Sequence, residues 1–486
     1  MPLTALRRRP ETTCTLALLL SLLFAACGGG GSGSSDSAST SASAGSSSVG
    51  TTSASSASSR NASSAASSSA GSAAGSSASS GASSTGGTAS CSALEGRIRI
   101  TQASLPALAA ASDEYTPVVI AADGNGGAGS LIAWKEKSAS QIRVGRLAAD
   151  DRQFSSLLTL GGDEVHSLLG HSDGGGALMM VSDDPDIYSS KYCKGSSTPA
   201  NAACQKMQLV RFGSSGSVVF NTTLTDKANV DSEGALFIWW YGHTGRLGWD
   251  GSRYAAYFRS AGSYARPNVA GEIDIHAGDT LRMVDASGNR QTSGGWQWGC
   301  SHSWSIRLAG NSSGWASFCH GDAYPNAMRL QLLGSTGSSG KTTEWLSGSD
   351  ATTRALGGVV SDASGYWLSY LETTSGTLRL HLARFSNSGS MSSDQIVSGA
   401  TGIDASYPFR PWLAKLGSQL LLGWKSGGKL MLQATDSSGT PIGSPVASSA
   451  SISDFDEFVT LANGDVAFAH AGSSGTVSVS RVQACN

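Results

Sequence analysis

Short apolar segments and glycine-containing turns alternate along most of this chain. One stretch reads VVIAADGNGGAGSLIAWKEKSASQIRVGRL and a later one reads GGVVSDASGYWLSYLETTSGTLRLHLARFSNSGS. Each holds an apolar segment, a turn with glycine, a second apolar or aromatic segment, a loop and a third segment of alternating polarity. Such segments predict short β-strands, and no long apolar period of about 3.6 residues survives to predict helices.

The pattern recurs seven times, mostly at spacings of 48 to 60 residues. Repeats of this length, each with three or four short strands, predict the blades of a β-propeller. A β-sandwich or two separate β domains is the alternative architecture. We therefore expect an all-β propeller with seven blades of four antiparallel strands.

The seventh copy, FVTLANGDVAFAHAGSSGTVSVSRV, ends after its third strand. The segment LEGRIRITQ, residues 94–102, precedes the first copy and belongs to no repeat. It can pair antiparallel with TVSVSRV, so we expect it to supply the missing fourth strand. If the inner strands run downward from an upper face, the closing strand starts at the lower face, and the chain enters the propeller there.

The N-terminus resembles a bacterial lipoprotein signal. Three arginines at 7–9 precede the apolar run from Thr15 to Phe24, which is too short to span a membrane stably. The following FAAC resembles a lipobox, whose cysteine is acylated and becomes the first mature residue. The resemblance implies a signal peptide over 1–26, acyl chains on Cys27 and membrane attachment at the outer membrane or cell surface. An ordinary cleaved signal with an incidental cysteine is the alternative.

Residues 27–90 are nearly all Gly, Ser, Ala and Thr, with Asp36 and Arg60 as the charged exceptions. This composition cannot bury enough apolar surface to offset its conformational entropy, so we expect a disordered tether with a reach of roughly 45 Å. The propeller is then expected over 91–486. A formal net charge of -2, without a basic run beyond the signal, argues against nucleic acid as a partner, and we expect a monomer.

Six cysteines remain besides Cys14 in the signal and Cys27. An even number in an exported protein predicts three disulfides, although the count alone allows about fifteen connectivities. Position in the repeats favours the pairs Cys91–Cys485, Cys193–Cys204 and Cys300–Cys319. The first would lock the closing strand, the second would close an inserted loop, and the third would join opposite residues of one hairpin.

Histidines concentrate in the second to fourth copies, where six of eight lie between residues 166 and 320. His166, His243 and His302 share one register, eight residues before a turn glycine in three consecutive copies. This register predicts that each lies where an inner strand begins, beside the central channel. For one histidine alone, a hydrogen bond to a neighbouring blade is the simpler interpretation, but three in register favour a function.

Inserted loops at 182–204, 259–279 and 319–325 are expected to return to the same upper face. Together with the strand entries they define a candidate catalytic set: His166, His243, His302, Tyr241, Arg246, Arg307, His320 and Tyr324. Arg246 and Arg307 follow the histidines at different spacings, so we expect their side chains to point differently. Tryptophans are also dense in this region, and we expect at least half of them to pack between blades.

Three functions are consistent with this set of residues. Histidine, tyrosine and arginine suit β-elimination from a uronic acid, because arginine or a metal neutralises the carboxylate while histidine or tyrosine removes the adjacent proton. In architecture and residue types, though not in any matched motif, the chain resembles the propeller-fold polysaccharide lyases. That resemblance implies a glycan ligand or substrate, which we rank first.

The second function is a metal site in which His166, His243 and His302 bind one divalent ion, such as Zn²⁺, Mn²⁺ or Ca²⁺. The third is a non-enzymatic surface module that binds glycan or protein through aromatic and polar loop groups. Metal analysis of the purified protein tests the second hypothesis. The third predicts binding of a glycan or protein without any catalytic turnover.

Overall fold

The apolar segments form antiparallel strands, which assemble into seven sheets within the described residues. The computed structural model of the 486-residue chain describes the following ranges, all within the unit Thr85–Asn486: 93–111, 116–183, 205–225, 236–238, 245–265, 273–296, 299–300, 305–321, 326–334, 338–348, 354–405, 410–472 and 475–485. Six sheets have four strands and the third has five. The prediction of an all-β, seven-bladed propeller is confirmed.

The described chain begins with a 3-10 helix at Leu94–Arg97 and strand β1 at Ile98–Ser104. Blade 1 contains β2 (Val118–Ala122), β3 (Ser130–Lys135), β4 (Gln141–Leu147) and β5 (Phe154–Gly161). Blade 2 contains β6 (Glu164–Gly170), β7 (Gly176–Asp183), β8 (Gln205–Phe212) and β9 (Val218–Thr223). Blade 3 contains β10 (Leu236–Phe237), β11 (Gly245–Trp249), β12 (Arg253–Ala265), β13 (Ile273–Asp285) and β14 (Arg290–Trp296).

Blade 4 contains β15 (Ser305–Asn311), β16 (Gly314–His320), β17 (Met328–Leu333) and β18 (Ser339–Trp345). Blade 5 contains β19 (Arg354–Asp362), β20 (Gly365–Thr374), β21 (Thr377–Ser386) and β22 (Met391–Ile396). Blade 6 contains β23 (Trp412–Leu416), β24 (Gln419–Ser426), β25 (Lys429–Thr435) and β26 (Pro441–Ser448). Blade 7 contains β27 (Val459–Thr460), β28 (Val466–Ala471) and β29 (Thr476–Val482).

The blades stack face to face around a ring. Contacts run from β2 to β6, β11, β15, β19, β23 and β27 in turn, and β27 contacts β2 again. Stacking covers both faces of the middle strands, and this is why β3 and β16 are almost wholly buried. The fourth strands, such as β9, lie at the rim and alternate between exposed and half-buried residues.

The N-terminal strand closes the ring, as the orphan segment predicted. Strand β1 pairs antiparallel with β29, from Ile98 opposite Val482 to Ser104 opposite Thr476. On its other side Val482 pairs with Val466, the first residue of β28, which directly follows the turn after the inner strand β27. Strand β1 therefore starts at the end of the ring opposite the one where the inner strands begin, as expected, although Cys91 itself lies outside the described residues.

A buried ion cluster secures this closure. Arg481, which is 2% exposed, donates two hydrogen bonds to the carboxylate of Asp151 in blade 1, at 2.9 and 2.6 Å. Arg99, opposite Arg481 on β1, donates to the same carboxylate at 2.6 Å. Arg481 also donates to the carbonyl of Ala128 at 3.0 Å. The cluster thus joins both strands of the closing pair to the first blade.

We expect Asp151→Asn to destabilise the protein by about 3 kcal/mol, because the buried charge of Arg481 then keeps only the longer contact to the carboxylate of Asp465, at 3.5 Å. Asparagine preserves the shape of the side chain and tolerates the positive φ of 59° at this position. Urea unfolding measures the change. Asp150→Asn, an exposed change in the same turn, is the matched control; equal losses in the two variants would contradict the assignment.

Turn glycines between the third and fourth strands hold neighbouring blades together. Four of them share a φ between +75° and +88°, namely Gly216, Gly288, Gly389 and Gly439. Three of these glycine carbonyls accept a hydrogen bond from the outer strand of the preceding blade, through Thr222 to Gly288 at 2.5 Å, Thr343 to Gly389 at 2.6 Å and Gln395 to Gly439 at 2.9 Å. The turn therefore sets both the local hairpin and the spacing between blades.

Gly216→Ala should cost more stability than Gly376→Ala. Both glycines have positive φ, so each alanine carries a left-handed penalty of about 1 kcal/mol. A Cβ at Gly216 would lie 2.1 Å from the carbonyl oxygen of Leu157 in blade 1, whereas a Cβ at Gly376 meets nothing within 4 Å. We expect an extra loss of about 1 to 3 kcal/mol at Gly216, measured by urea unfolding. Equal losses would show that the turn does not control the spacing between blades.

Two details of the sequence predictions are wrong. The expected inserted loop at 259–279 is mostly strand, because β12 and β13 continue as a paired hairpin from Arg253 opposite Asp285 to Ala265 opposite Ile273. The Cys300–Cys319 disulfide is confirmed, with Cα atoms 6.2 Å apart, but Cys300 precedes the hairpin and Cys319 pairs with Ile306 instead.

The other two predicted disulfides, Cys91–Cys485 and Cys193–Cys204, involve cysteines outside the described residues. Cys485 is disulfide-bonded, and its predicted partner Cys91 lies outside the described residues, as do Cys193 and Cys204. The predicted signal, Cys27 and the tether also lie outside them. Within the described residues, no helix is long and apolar enough to cross a lipid bilayer.

Candidate functional site

The end of the ring at which the inner strands begin is called the channel mouth. Its principal charged group is formed by Arg246 on β11, Arg307 on β15, Arg410 just before β23 and Glu457 just before β27. We call these four residues the arginine cluster. They come from blades 3, 4, 6 and 7, and only the closed ring brings them together.

One carboxylate is shared among the three guanidinium groups. Arg246 donates a hydrogen bond through Nη2 to Oε1 of Glu457, and Nη2 of Arg307 lies 3.8 Å from the same oxygen. Arg410 acts on Glu457 electrostatically and lies over the ring of Phe455, with its Cζ 5.1 Å from the ring centre. The expectation that Arg246 and Arg307 point differently is wrong, because their strands belong to neighbouring blades and approach the channel from different directions.

Burial and the neighbouring charges shift the pKa values of Arg307 and Glu457. Burial lowers the pKa of Arg307 to about 9, and repulsion by Arg246 and Arg410 acts in the same direction while Glu457 opposes it. Burial alone would raise the pKa of the Glu457 carboxyl, but the three guanidinium groups together hold it below its usual range. Arg307 therefore carries its charge at neutral pH in a site that has one carboxylate and two further cations beside it.

Asp454 adds a second carboxylate near Arg410, but it has a cation of its own. Its Oδ1 lies 3.3 Å from Nζ of Lys425. Burial raises the pKa of Asp454, and Lys425 and Arg410 oppose that shift. Among the described residues here, the four cations Arg246, Arg307, Arg410 and Lys425 lie near three carboxylates, those of Glu457, Asp454 and Asp456, so positive charge is in excess.

A cavity of about 150 Å³ opens beside the cluster. Its wall includes Arg246, Glu457, His166, Phe455 and Thr116. His166 is 8% exposed, and its Nε2 lies 3.3 Å from Oε2 of Glu164 on the same strand. The cavity thus combines Arg246 and its partner Glu457 with an aromatic ring and a histidine, which together could hold a small anionic group and the apolar face of a sugar ring.

The segment that carries Glu457 has an anchored backbone. The carboxylate of the adjacent Asp456 accepts a hydrogen bond from the amide of Ser453 at 2.7 Å and lies 2.8 Å from Nδ1 of His470. The carbonyl of Asp456 accepts a further bond from the indole of Trp412 at 2.8 Å. The position of Glu457 in the channel mouth is therefore set by its neighbours as well as by the arginines.

The structure locates some of the predicted site residues and not others. His166 lies at the channel mouth, where the strand register predicts it, and the candidates Arg246 and Arg307 lie there too. His320 is not on a loop: it is the last residue of β16 and is 1% exposed. Tyr241, His243, His302 and Tyr324 lie outside the described residues, so the convergence of three histidines, and a metal bound by them, stay predictions.

Sequence reasoning missed Arg410 and Glu457. Both lie two residues before the first residue of an inner strand, Trp412 and Val459 respectively. Counting eight residues back from the turn glycines Gly417 and Gly464, as was done for His166, gives Phe409 and Asp456, each one residue before the residue that was missed.

The one cluster with metal-ligand spacing among the described residues is not a metal site in this form. It consists of Asp279, Cys300 and Cys319, but the two sulfur atoms are bonded to each other. Asp279 instead accepts hydrogen bonds from the amides of Gly299 and Cys300, at 2.5 and 2.6 Å, and from the hydroxyl of Tyr257. It holds the chain that leads into β15 and Arg307.

A second charged network, on blade 5, was not singled out by the sequence. His381 Nδ1 lies 3.1 Å from Asp394, and the Tyr370 hydroxyl donates to the same carboxylate at 2.5 Å. His381 Nε2 lies 3.9 Å from Glu372, whose other neighbour is Arg354 at 3.6 Å. These charged groups come from the four strands of the blade, β19 to β22, and tie them together side by side.

Burial raises the pKa of Asp279 to about 6, above its unfolded value of about 3.9. The folded protein therefore binds this proton more tightly, and the associated stability is present below pH about 4 and is lost as pH rises through about 6. We expect the free-energy difference between wild type and Asp279→Asn to shrink across this window, measured by urea unfolding at several pH values. Asp285→Asn, at an exposed carboxyl whose pKa is lowered by backbone hydrogen bonds, should not reproduce that trend.

No family model matches the chain, and no curated protein matches it. Similar solved structures include the Dos1 propeller, with a TM-score of 0.41 and 10% identity over 73% of this chain and 76% of that one. The β-propeller domain of the Trilobed protease from Pyrococcus furiosus has a TM-score of 0.36 and 8% identity over 66% and 77%. A prolyl endopeptidase has a TM-score of 0.38 and 11% identity over 76% and 50%. The propeller assignment rests on the strand pairing described above.

Proposed function

We propose that this protein is a lipid-anchored, extracytoplasmic propeller that binds an acidic glycan at the channel mouth. The observation that carries the proposal is the convergence of Arg246, Arg307 and Arg410 on the single carboxylate of Glu457. Guanidinium groups bind carboxylate and phosphate through paired, charge-assisted hydrogen bonds, which strengthen away from water. Excess buried positive charge therefore favours an anionic ligand.

Two further features support a sugar rather than a simple ion. Phe455 forms part of the cavity wall beside the cluster, and an aromatic ring can pack against the apolar face of a pyranose. Arg307 is 4% exposed, and its Nε makes no hydrogen bond among the described residues, as is also true of Nε of Arg246. Buried donors of this kind are costly unless something accepts from them, and a uronate carboxylate is suited to that role.

The arrangement supports binding more directly than turnover. A lyase reaction requires a base close to the proton that the arginines acidify. His166 is the described residue nearest to that role, and the candidates His243, His302 and Tyr241 lie outside the described residues. We therefore propose recognition of an acidic glycan as the function, with elimination as an activity that the same assay would reveal.

Acyl chains on Cys27 would hold the propeller to a bacterial membrane through the 27–90 tether. Because β1 starts at the end of the ring opposite the channel mouth, a tether leading into β1 favours a channel mouth turned away from that membrane. This orientation suits a ligand outside the cell and supports the proposed location at the outer membrane or cell surface.

Binding of the whole purified chain to oligogalacturonate, oligoalginate and neutral dextran tests the proposal by calorimetry. We expect the acidic oligosaccharides to bind, dextran not to bind, and salt to weaken the binding. Arg307→Gln should weaken it about tenfold or more, the effect of losing a hydrogen bond to a charged group. Glu457 retains Arg246 as a partner in that variant, so the fold should persist.

Arg379→Gln is the matched control, since it removes the same charge from an exposed position on β21. Its affinity should equal that of the wild type. Dextran binding as tightly as the acidic sugars, or the two arginine variants losing affinity equally, would contradict an anion site at the channel mouth. Appearance of unsaturated uronate products would add lyase activity to the binding function.

A further inference from the structure

We infer that Glu457 is a built-in competitor for the arginine cluster, and that the site therefore selects ligands with several anionic groups over those with one. The inference rests on the proposed binding of an anionic group at the channel mouth. In the free protein the carboxylate of Glu457 occupies the arginine cluster, and an anionic ligand must displace it.

The glutamate is the movable member of the cluster. Arg246 and Arg307 belong to inner strands and have side chains 15% and 4% exposed, whereas the side chain of Glu457 is 33% exposed. Glu457 lies in the segment between β26 and β27, outside any strand. A change of its side-chain rotamer toward solvent would free the arginines without moving a strand.

The backbone beneath Glu457 need not move for this exchange. Asp456 is held by the Ser453 amide, His470 and the Trp412 indole, as described above. The exchange is then confined to one side chain, which makes it local and reversible. The arginines would meet a ligand carboxylate in the same place where they meet Glu457 now.

This competition has a consequence for ligand choice. A ligand with one carboxylate exchanges one negative charge for another and gains little, because the contact between Arg246 and Glu457 must first be lost. A ligand with two or more neighbouring carboxylates can replace Glu457 and also accept a hydrogen bond from Arg307, whose Nε makes none among the described residues. Consecutive acidic sugars of a polyuronate have this property, and a single uronic acid does not.

The test compares galacturonic acid, trigalacturonate and inorganic sulfate as ligands of the wild type and of Glu457→Gln. The amide keeps the size and an acceptor oxygen but removes the competing charge. Removing a unit charge a few ångströms from the bound anion should strengthen monogalacturonate and sulfate binding about tenfold or more. The preference for trigalacturonate over monogalacturonate should shrink accordingly.

Two further variants make the outcome decisive. Glu344→Gln removes the same charge from an exposed position on β18 and should leave all affinities unchanged. Glu457→Asp retains the charge on a shorter side chain, so its affinities should lie between those of the wild type and Glu457→Gln. If Glu457→Gln does not fold, an affinity of Glu457→Asp for monogalacturonate and sulfate about threefold above that of the wild type supports the inference.

The results separate this inference from the proposed function. Sulfate binding that strengthens in Glu457→Gln while no glycan binds either protein would support the competitor role and overturn the glycan proposal. Affinities that stay equal or fall in the Glu457 variants, while the wild type binds acidic glycans, would overturn the competitor role and show that Glu457 positions the arginines for the ligand.

Discussion

Closure of the ring is the constraint on which the rest of this structure depends. Each blade is a sheet with two apolar faces, and a stack of such sheets has uncovered faces at both ends unless the last blade meets the first. The pairing of β1 with β29 completes the seventh blade, and the ion cluster of Arg481, Asp151 and Arg99 joins that blade to blade 1. Without closure the inner strands would not share one channel, and the residues at its mouth would not meet.

The channel mouth is where the fold concentrates charge. Seven inner strands approach one axis, so side chains that are far apart along the chain come together in a small, poorly hydrated volume. Three arginines in such a place repel one another, and Glu457 reduces that repulsion in the free protein. The carboxylate of Glu457 stabilises the arginine cluster in the free protein but also occupies the proposed anion site. Its presence therefore raises the stability of the free protein and lowers its affinity for an anion.

The frame around the mouth is regular and stiff. Turn glycines with positive φ bring each hairpin against the blade before it, and Thr222, Thr343 and Gln395 bond to these turns from neighbouring outer strands. Asp279 and the Cys300–Cys319 disulfide hold the segment before β15. Arg307 is therefore presented by a rigid strand, while Glu457 extends from a connecting segment, and this difference separates the fixed part of the site from the adjustable part.

The sequence by itself determined the repeat, the strand content and the closing strand, because these depend on patterns within a few tens of residues: alternation of apolar positions, turn glycines, and one strand missing at the end of the chain. It also located His166 at a strand entry and named Arg246 and Arg307 as candidates on two further inner strands. The sequence did not reveal that Arg246 and Arg307 would share one carboxylate, or that Glu457 would provide it, because Glu457 lies 211 residues from Arg246 in the chain. Only the tertiary structure decided that grouping, because the angle between neighbouring blades and the closure of the ring determine which strand entries face each other across the channel.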